Sequence, residues 1–216
     1  MIRVRKLSSL FTILFFYIAN GSFAYANDPQ QIKQGKTFYD QNCVFCHQPD
    51  AIGKPGFAPS LSNPELLSIS TDKYLMATIR DGRQGTAMAP YAHLGKDKIV
   101  AIVAYLRSME TLPNRSAEVE KQRIAQGDAR KGELWYKDIC STCHGPHGDG
   151  YLAGSSGTAI GKPGFLNKAS DGFIRETIKY GRSNTRMLPF YGATGLANLD
   201  EQEIEDIISY LRTLNK

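Results

Sequence analysis

One ordered set of marks occurs twice along this chain, and a fold for it must accommodate that duplication. Cys-Val-Phe-Cys-His at 43–47 has a counterpart in Cys-Ser-Thr-Cys-His at 140–144. Gly35 and Tyr39 precede the first motif at the same offsets as Gly132 and Tyr136 precede the second. Ile-Gly-Lys-Pro-Gly-Phe stands at 52–57 and again at 160–165. Ile79, Met88 and Pro90 are matched by Ile178, Met187 and Pro189, and Tyr105-Leu106-Arg107 by Tyr210-Leu211-Arg212. Repeats of this length, present only twice, describe a duplicated globular domain and not a solenoid.

The halves differ in loop-type segments. The second carries a Gly- and Ser-rich insertion from Gly145 to Gly157 and extra residues from Tyr191 to Ala197. The joint lies near Leu112 to Gln126, where Pro113-Asn114 stops the preceding helix. The expected division is a signal peptide over 1–26, a first domain over 27–112, a linker over 113–126 and a second domain over 127–216. Within the linker, Ser116 to Gln122 is expected to be a short helix or a flexible strap.

The expected structure is all-α. Helices are read over Gln30–Asn42 and Asp128–Ile139, each leading into a Cys pair. Two more run from Thr71 or Asp72 to Arg80 and from Ser170 or Asp171 to Tyr180, starting at cap residues and ending before Gly. Apolar residues at helical spacing mark Lys96–Met109 and Leu199–Leu214. No run alternates apolar and polar long enough for a sheet.

Export is legible at the N-terminus. Arg3, Arg5 and Lys6 precede the apolar run Leu10–Ala19, and Ala24-Tyr25-Ala26 is a small-x-small cleavage site. The run is short for a membrane span, which needs about 20 apolar residues. Cleavage would remove three basic and no acidic residues and lower the formal charge from +5 to +2. No Lys/Arg block points to nucleic acid. The expected location is the periplasm, with no membrane span after cleavage.

An even cysteine count in an exported chain suggests disulfides, but the spacing does not. C-x-x-C-H is the attachment signature of haem c: two thiols form thioethers with the porphyrin vinyl groups, and the following His binds the iron. Zinc would need further Cys or His ligands, and the chain has four His in all. A thiol redox motif would want a βαβ context. The expectation is two covalent haem c groups, attached at Cys43 and Cys46 and at Cys140 and Cys143, with His47 and His144 as proximal ligands.

Met88 and Met187 lie at matched loop positions before a Pro and are the expected sixth ligands, since a thioether closes the iron and raises its reduction potential. Met76 and Met109 lie on helices without a counterpart and read as core. His93 and His147 are unmatched and read as non-ligands. Arg80, Arg83, Arg182 and Arg186 precede the two Met. They read as solvated, with contact to a haem edge or propionate as the alternative.

With these residues in place, both halves resemble class I cytochromes c, and the chain after residue 26 resembles the tandem dihaem members of that family. The resemblance implies that Gly35 and Tyr39 on the first helix cross Tyr105 on the last, and likewise Gly132, Tyr136 and Tyr210. It also implies a Pro carbonyl that accepts a hydrogen bond from the proximal His. Pro59 has the family spacing, whereas the repeat alignment points to Pro55 and Pro163, so both assignments stand open.

The function expected is single-electron transfer and not an enzymatic reaction. The partners would be a quinol-oxidising membrane complex or a periplasmic dehydrogenase upstream, and a terminal oxidase or reductase downstream. A dihaem peroxidase or thiosulfate-oxidising enzyme is the first alternative, although all four Cys are used in attachment and none remains as an axial ligand. A fixed subunit of a membrane respiratory complex is the second.

Overall fold

A computed structural model describes residues 28–215, so the signal segment expected over 1–26 lies outside the described residues. The helices are α1 (Pro29–Asn42), α2 (Val44–His47), α3 (Pro64–Ile69), α4 (Asp72–Asp81), α5 (Lys96–Arg107), α6 (Ser116–Glu120), α7 (Ala129–Trp135), α8 (Ser141–His144), α9 (Pro163–Leu166), α10 (Asp171–Tyr180) and α11 (Glu201–Thr213). Two isolated bridges are the only β pairing among the described residues.

Caps set the helix starts. The side chains of Asp28, Asn63, Thr71 and Ser170 each accept a backbone N–H of the first turn, and Pro29 and Pro64 occupy positions whose N–H has no partner in any case. Asp200 and Glu203 close a reciprocal capping box on α11. The expected helix over 128–139 is divided: α7 ends at Trp135 and a π turn runs from Tyr136 to Cys140. The short helices α3 and α9 had no expectation, because neither is long enough to show a period.

Each half is built on a crossing of its first and last long helices. A Cβ on Gly35 would lie 1.9 Å from the Ala101 carbonyl oxygen, and one on Gly132 would lie 1.9 Å from that of Asp206. Only glycine permits these approaches. Beside each crossing two tyrosines pack with ring centroids 5.3 Å apart, Tyr39 on Tyr105 and Tyr136 on Tyr210. The Tyr39 hydroxyl donates to the Gln48 carbonyl and the Tyr136 hydroxyl to that of Gly145, both at 2.7 Å, which ties each helix pair to the chain just past the Cys motif.

The last helices carry matched arginine staples. Arg107 donates to the Asp72 carboxylate and to the Leu67 and Ser70 carbonyls, and Arg212 to the Asp171 carboxylate and the Leu166 and Ala169 carbonyls. The planar guanidinium suits this fork, because it reaches a carboxylate and two carbonyls at once. Ile204, Ile207 and Ile208 are almost fully buried in the second-half core, each worth about 1.5–3 kcal/mol.

The halves share one interface. Residues 63–90 and 162–189 run in step, and equivalent positions meet as across a two-fold axis. The Tyr74 ring packs on its counterpart Phe173 at 4.9 Å. The Ser183 N–H and hydroxyl donate to Glu65 at 3.0 Å, and in the reciprocal place the Gly164 N–H donates to the Gln84 carbonyl at 3.2 Å. Ile69 of the first half is counted in the core of the second. Of the two expectations for 116–122, the helix is found: Val119 is buried, and Arg115 pairs with Glu176 at 2.8 Å.

Candidate functional site

Both Cys motifs form a turn of helix directly after a long helix, and both end at a residue with positive φ, Gln48 and Gly145. That turn swings His47 and His144 inward. His47 Nδ1 donates to the Pro59 carbonyl at 2.9 Å and His144 Nδ1 to the Thr158 carbonyl at 2.7 Å. A carbonyl oxygen only accepts, so Nδ1 carries the proton in both rings and Nε2 keeps its lone pair for a metal. Burial pushes both imidazoles below their ordinary pKa, which favours the neutral, ligating form.

Of the two Pro assignments in the first half, Pro59 makes the bond. In the second half no Pro does. The Ile-Gly-Lys-Pro-Gly-Phe repeats are out of structural register: at 52–57 the segment makes a tight turn with Gly53 and Gly56 at positive φ, whereas Pro163 begins α9. The structural partner of Pro163 is Pro64, at the start of α3. The insertion shifts the register. It holds a 3-10 turn over Gly150–Ala153 and returns so that the Gly157 N–H donates to the Cys143 carbonyl at 2.6 Å. A Cβ on Gly157 would lie 2.9 Å from His144 Nδ1, so the insertion itself walls the imidazole.

Met88 and Met187 sit in two copies of one loop. Gly82 and Gly181 end α4 and α10 at φ 64° and 67°, and a Cβ there would lie 2.5 and 2.4 Å from the carbonyl oxygens of Met88 and Met187. The N–H of the next residue, Arg83 or Arg182, donates to that carbonyl at 3.0 or 2.6 Å. Thr86 and Thr185 hydroxyls accept the Met N–H at 3.2 and 3.0 Å and donate to the Arg carbonyl, which stiffens the loop. The pattern Gly-Arg-x-x-Thr-x-Met is present in both halves, although the sequence reading of the two Met rested on their matched loop positions before a Pro.

One cavity of about 1140 Å³ is lined by Cys43, Cys46, His47 and Met88 and also by Cys140, Cys143, His144 and Met187. It exceeds the range of about 300–1,000 Å³ typical of a single small-molecule pocket. The four thiols are free of disulfides. Burial raises Cys43 to about 11 and Cys140 to about 12, the opposite of the depressed values that make a reactive dithiol. Among the described residues two buried side-chain atoms lack partners, Thr78 Oγ1 and Arg182 Nη1, and both residues line the cavity. An apolar cleft with such orphans fits a large apolar group carrying its own polar substituents.

His93 and His147 are exposed and do not line the cavity, and Met76 and Met109 pack in the first-half core. Of the four arginines, Arg80 is exposed and pairs with Asp81, and Arg186 is exposed. The expectation of solvation fails for Arg182, whose Nη1 is enclosed.

Residues 129–215 match the family model for cytochrome c, and residues 30–106 match that for cytochrome c oxidase, cbb3-type, subunit III. The chain belongs to the cytochromes c, as two such domains in tandem, and it binds two covalent haem c groups. It is 30% identical over 149 residues to the cbb3-type cytochrome c oxidase subunit CcoP of Rubrivivax gelatinosus, covering 68% of this chain and 44% of that protein. It is 29% identical over 196 residues to the subunit FixP of Bradyrhizobium diazoefficiens, covering 84% and 60%. The chain thus spans roughly half the length of these curated relatives. A chain of the reducing HAO-like protein complex of Kuenenia stuttgartiensis shares the fold, with a TM-score of 0.50 at 20% identity over 85% of this chain and 96% of that one.

Proposed function

We propose that this dihaem cytochrome c is a periplasmic carrier that passes single electrons between respiratory redox proteins through two irons, each ligated by His and Met. The observation that carries the reading is the single cavity lined by His47, Met88, His144 and Met187. Haem supplies the one-electron couple, and a His/Met ligand pair raises its potential. The chain's own residues hold the rest of the arrangement. The Pro59 and Thr158 carbonyls fix the imidazoles, and the Gly-Arg-x-x-Thr-x-Met loops hold the sulfurs. His47 with Met88 and His144 with Met187 would leave neither iron a position open to a substrate, which favours electron transfer over turnover.

Phe45, between the two Cys of the first motif, is 82% exposed and meets the half-exposed Phe57 edge-on at 6.5 Å. An apolar patch beside the attachment site suits brief docking of a redox partner. Upstream partners by chemistry are a quinol-oxidising membrane complex or a periplasmic dehydrogenase, and downstream partners are a terminal oxidase or a reductase. No helix among the described residues is long and apolar enough to cross a membrane.

A second reading is a fixed electron-entry subunit of a terminal oxidase, favoured by the cbb3 oxidase subunits among the relatives. The deciding measurement on the ligands is the far-red sulfur-to-Fe(III) band of the oxidised protein, quantified per haem. Two bands support the carrier; one or none shifts the reading to an enzyme with an open iron. Co-purification with an oxidase after mild extraction would replace the free carrier by the fixed subunit.

A further inference from the structure

The tip of each Met loop is held by the opposite half of the chain. Inside the loops the local bonds run among Arg83, Thr86 and Met88, and among Arg182, Thr185 and Met187. The tips lie between these residues, as Gln84-Gly85 and Ser183-Asn184, and turn at Gly85 and Asn184 with φ 81° and 58°. A surface loop tip is ordinarily among the more mobile parts of a domain. Here each tip rests on the short helix of the other half, α3 or α9.

Glu65 and Gly164 are equivalent positions in α3 and α9, and so are Gln84 and Ser183 in the loops. The Glu65 carboxylate accepts the Ser183 N–H and hydroxyl, both at 3.0 Å, and the Asn63 amide donates to the Ser183 carbonyl at 3.0 Å. Both backbone groups of Ser183 are thus satisfied from the first half. Reciprocally, the Gly164 N–H donates to the Gln84 carbonyl at 3.2 Å. A Cβ on Gly164 would lie 2.2 Å from the Gln84 nitrogen and 2.4 Å from the Arg83 carbonyl carbon, so only glycine lets the tip seat there. The Lys162 side chain, ion-paired with Asp149, lies against Gly85. The Arg83 side chain adds a bond to the Ala159 carbonyl at 3.1 Å, whereas its counterpart Arg182 stays in its own half, on the Thr177 hydroxyl at 2.8 Å.

We infer that each half holds the sixth ligand of the other half's iron in place: Glu65 and Asn63 are positioning residues for Met187, and Gly164 is the positioning residue for Met88. Each Met follows its clamped tip residue by four positions, and the Thr hydroxyl between them accepts the Met N–H. A fixed tip therefore fixes the backbone that carries the sulfur. The inference rests on the reading of Met88 and Met187 as ligands, and adds that closure of one iron depends on contacts made by the other half.

The test is titration of the oxidised full holoprotein with imidazole, which displaces a Met from Fe(III) and abolishes its far-red band. Glu65→Ala removes the acceptor of two bonds from Ser183 and is expected to tighten imidazole binding at the second-half iron about tenfold. Glu65→Gln keeps an oxygen acceptor and should restore most of the difference. Gly164→Ala is expected to tighten binding at the first-half iron instead. The halves are told apart by repeating each substitution beside Met88→Ala or Met187→Ala, which leaves one Met band to titrate. The crossed effect separates positioning from local stability, because a residue that only stabilised its own half would move its own iron. Glu65→Ala carries the test if Gly164→Ala fails to take up haem. An effect confined to the half that bears the substitution, an unchanged affinity in Glu65→Ala, or a Gln variant that behaves like Ala overturns the inference alone. Fewer than two far-red bands in the unaltered protein overturns the ligand reading, and the inference falls with it.

Discussion

Gly181→Ala is the sharpest perturbation of the Met187 loop. Gly181 sits at φ 67° and ψ −156°, a region that residues with a Cβ avoid at a cost of about 1–3 kcal/mol. The new methyl would also lie 2.4 Å from the Met187 carbonyl oxygen and 2.5 Å from the Leu188 carbonyl carbon, both backbone, so the loop itself must yield. Its displacement breaks the hydrogen bond from the Arg182 N–H to Met187, worth about 0.5–1.5 kcal/mol net. The sum is about 2–4 kcal/mol, concentrated on the segment that presents the sulfur. Gly192→Ala is the control: φ is 70°, but nothing lies within 4 Å of the new Cβ, so only the conformational cost of about 1–2 kcal/mol applies. The assay is the far-red band per haem, with carbon monoxide binding to the reduced protein and denaturant unfolding alongside. Gly181→Ala is expected to lose one band and open one iron while Gly192→Ala keeps both. Two intact bands in Gly181→Ala, with a stability loss no larger than that of Gly192→Ala, would refute the loop argument.

Two further outcomes concern the frame around the site. Arg107→Ala strips a buried guanidinium from Asp72 and two carbonyls and is expected to cost about 3–5 kcal/mol in denaturant unfolding, with Arg107→Lys recovering only a small part because an ammonium cannot fork. At Glu205 burial acts to raise the carboxyl, but the hydrogen bond from Arg175 and that from the Gln126 N–H outweigh it and hold it below the ordinary Glu value. Its folded value being depressed, that stabilisation is complete above the ordinary Glu value and is lost as pH falls through the folded one. Thermal melts across the acid range should therefore show a shallower acid limb for Glu205→Gln than for the unaltered chain.

Much of the site was legible because it is written in local spacing. C-x-x-C-H needs only one helical turn to aim two thiols and an imidazole, so the motif identifies itself wherever it lies. Glycines at the helix crossings and the paired tyrosines survive in both halves, and duplication doubled every signal. Of the six main helices, α4 and α10 followed from caps and α5 and α11 from apolar period; α1 and α7 followed from their place before the Cys pairs, and α7 gives way to a π turn at Tyr136. The short helices α3 and α9 did not, since too few residues define a period.

The acceptor of the His144 bond shows where sequence stops. It is a backbone oxygen, which every residue owns, so Thr158 serves as well as Pro59 and no side chain announces it. The repeated Ile-Gly-Lys-Pro-Gly-Phe pointed elsewhere, because a hexapeptide carries turn chemistry but not the length of the path between two helices. Sequence alone determined the duplication, the helical class, the attachment residues and the candidate axial ligands, all of which are local patterns. Tertiary structure alone decided that the two crevices join in one cavity, that Tyr74 meets Phe173, and that equivalent arginines take different partners. These depend on how two nearly equal faces pack against each other, and a near-symmetric interface must break its symmetry wherever one guanidinium crosses and the other cannot.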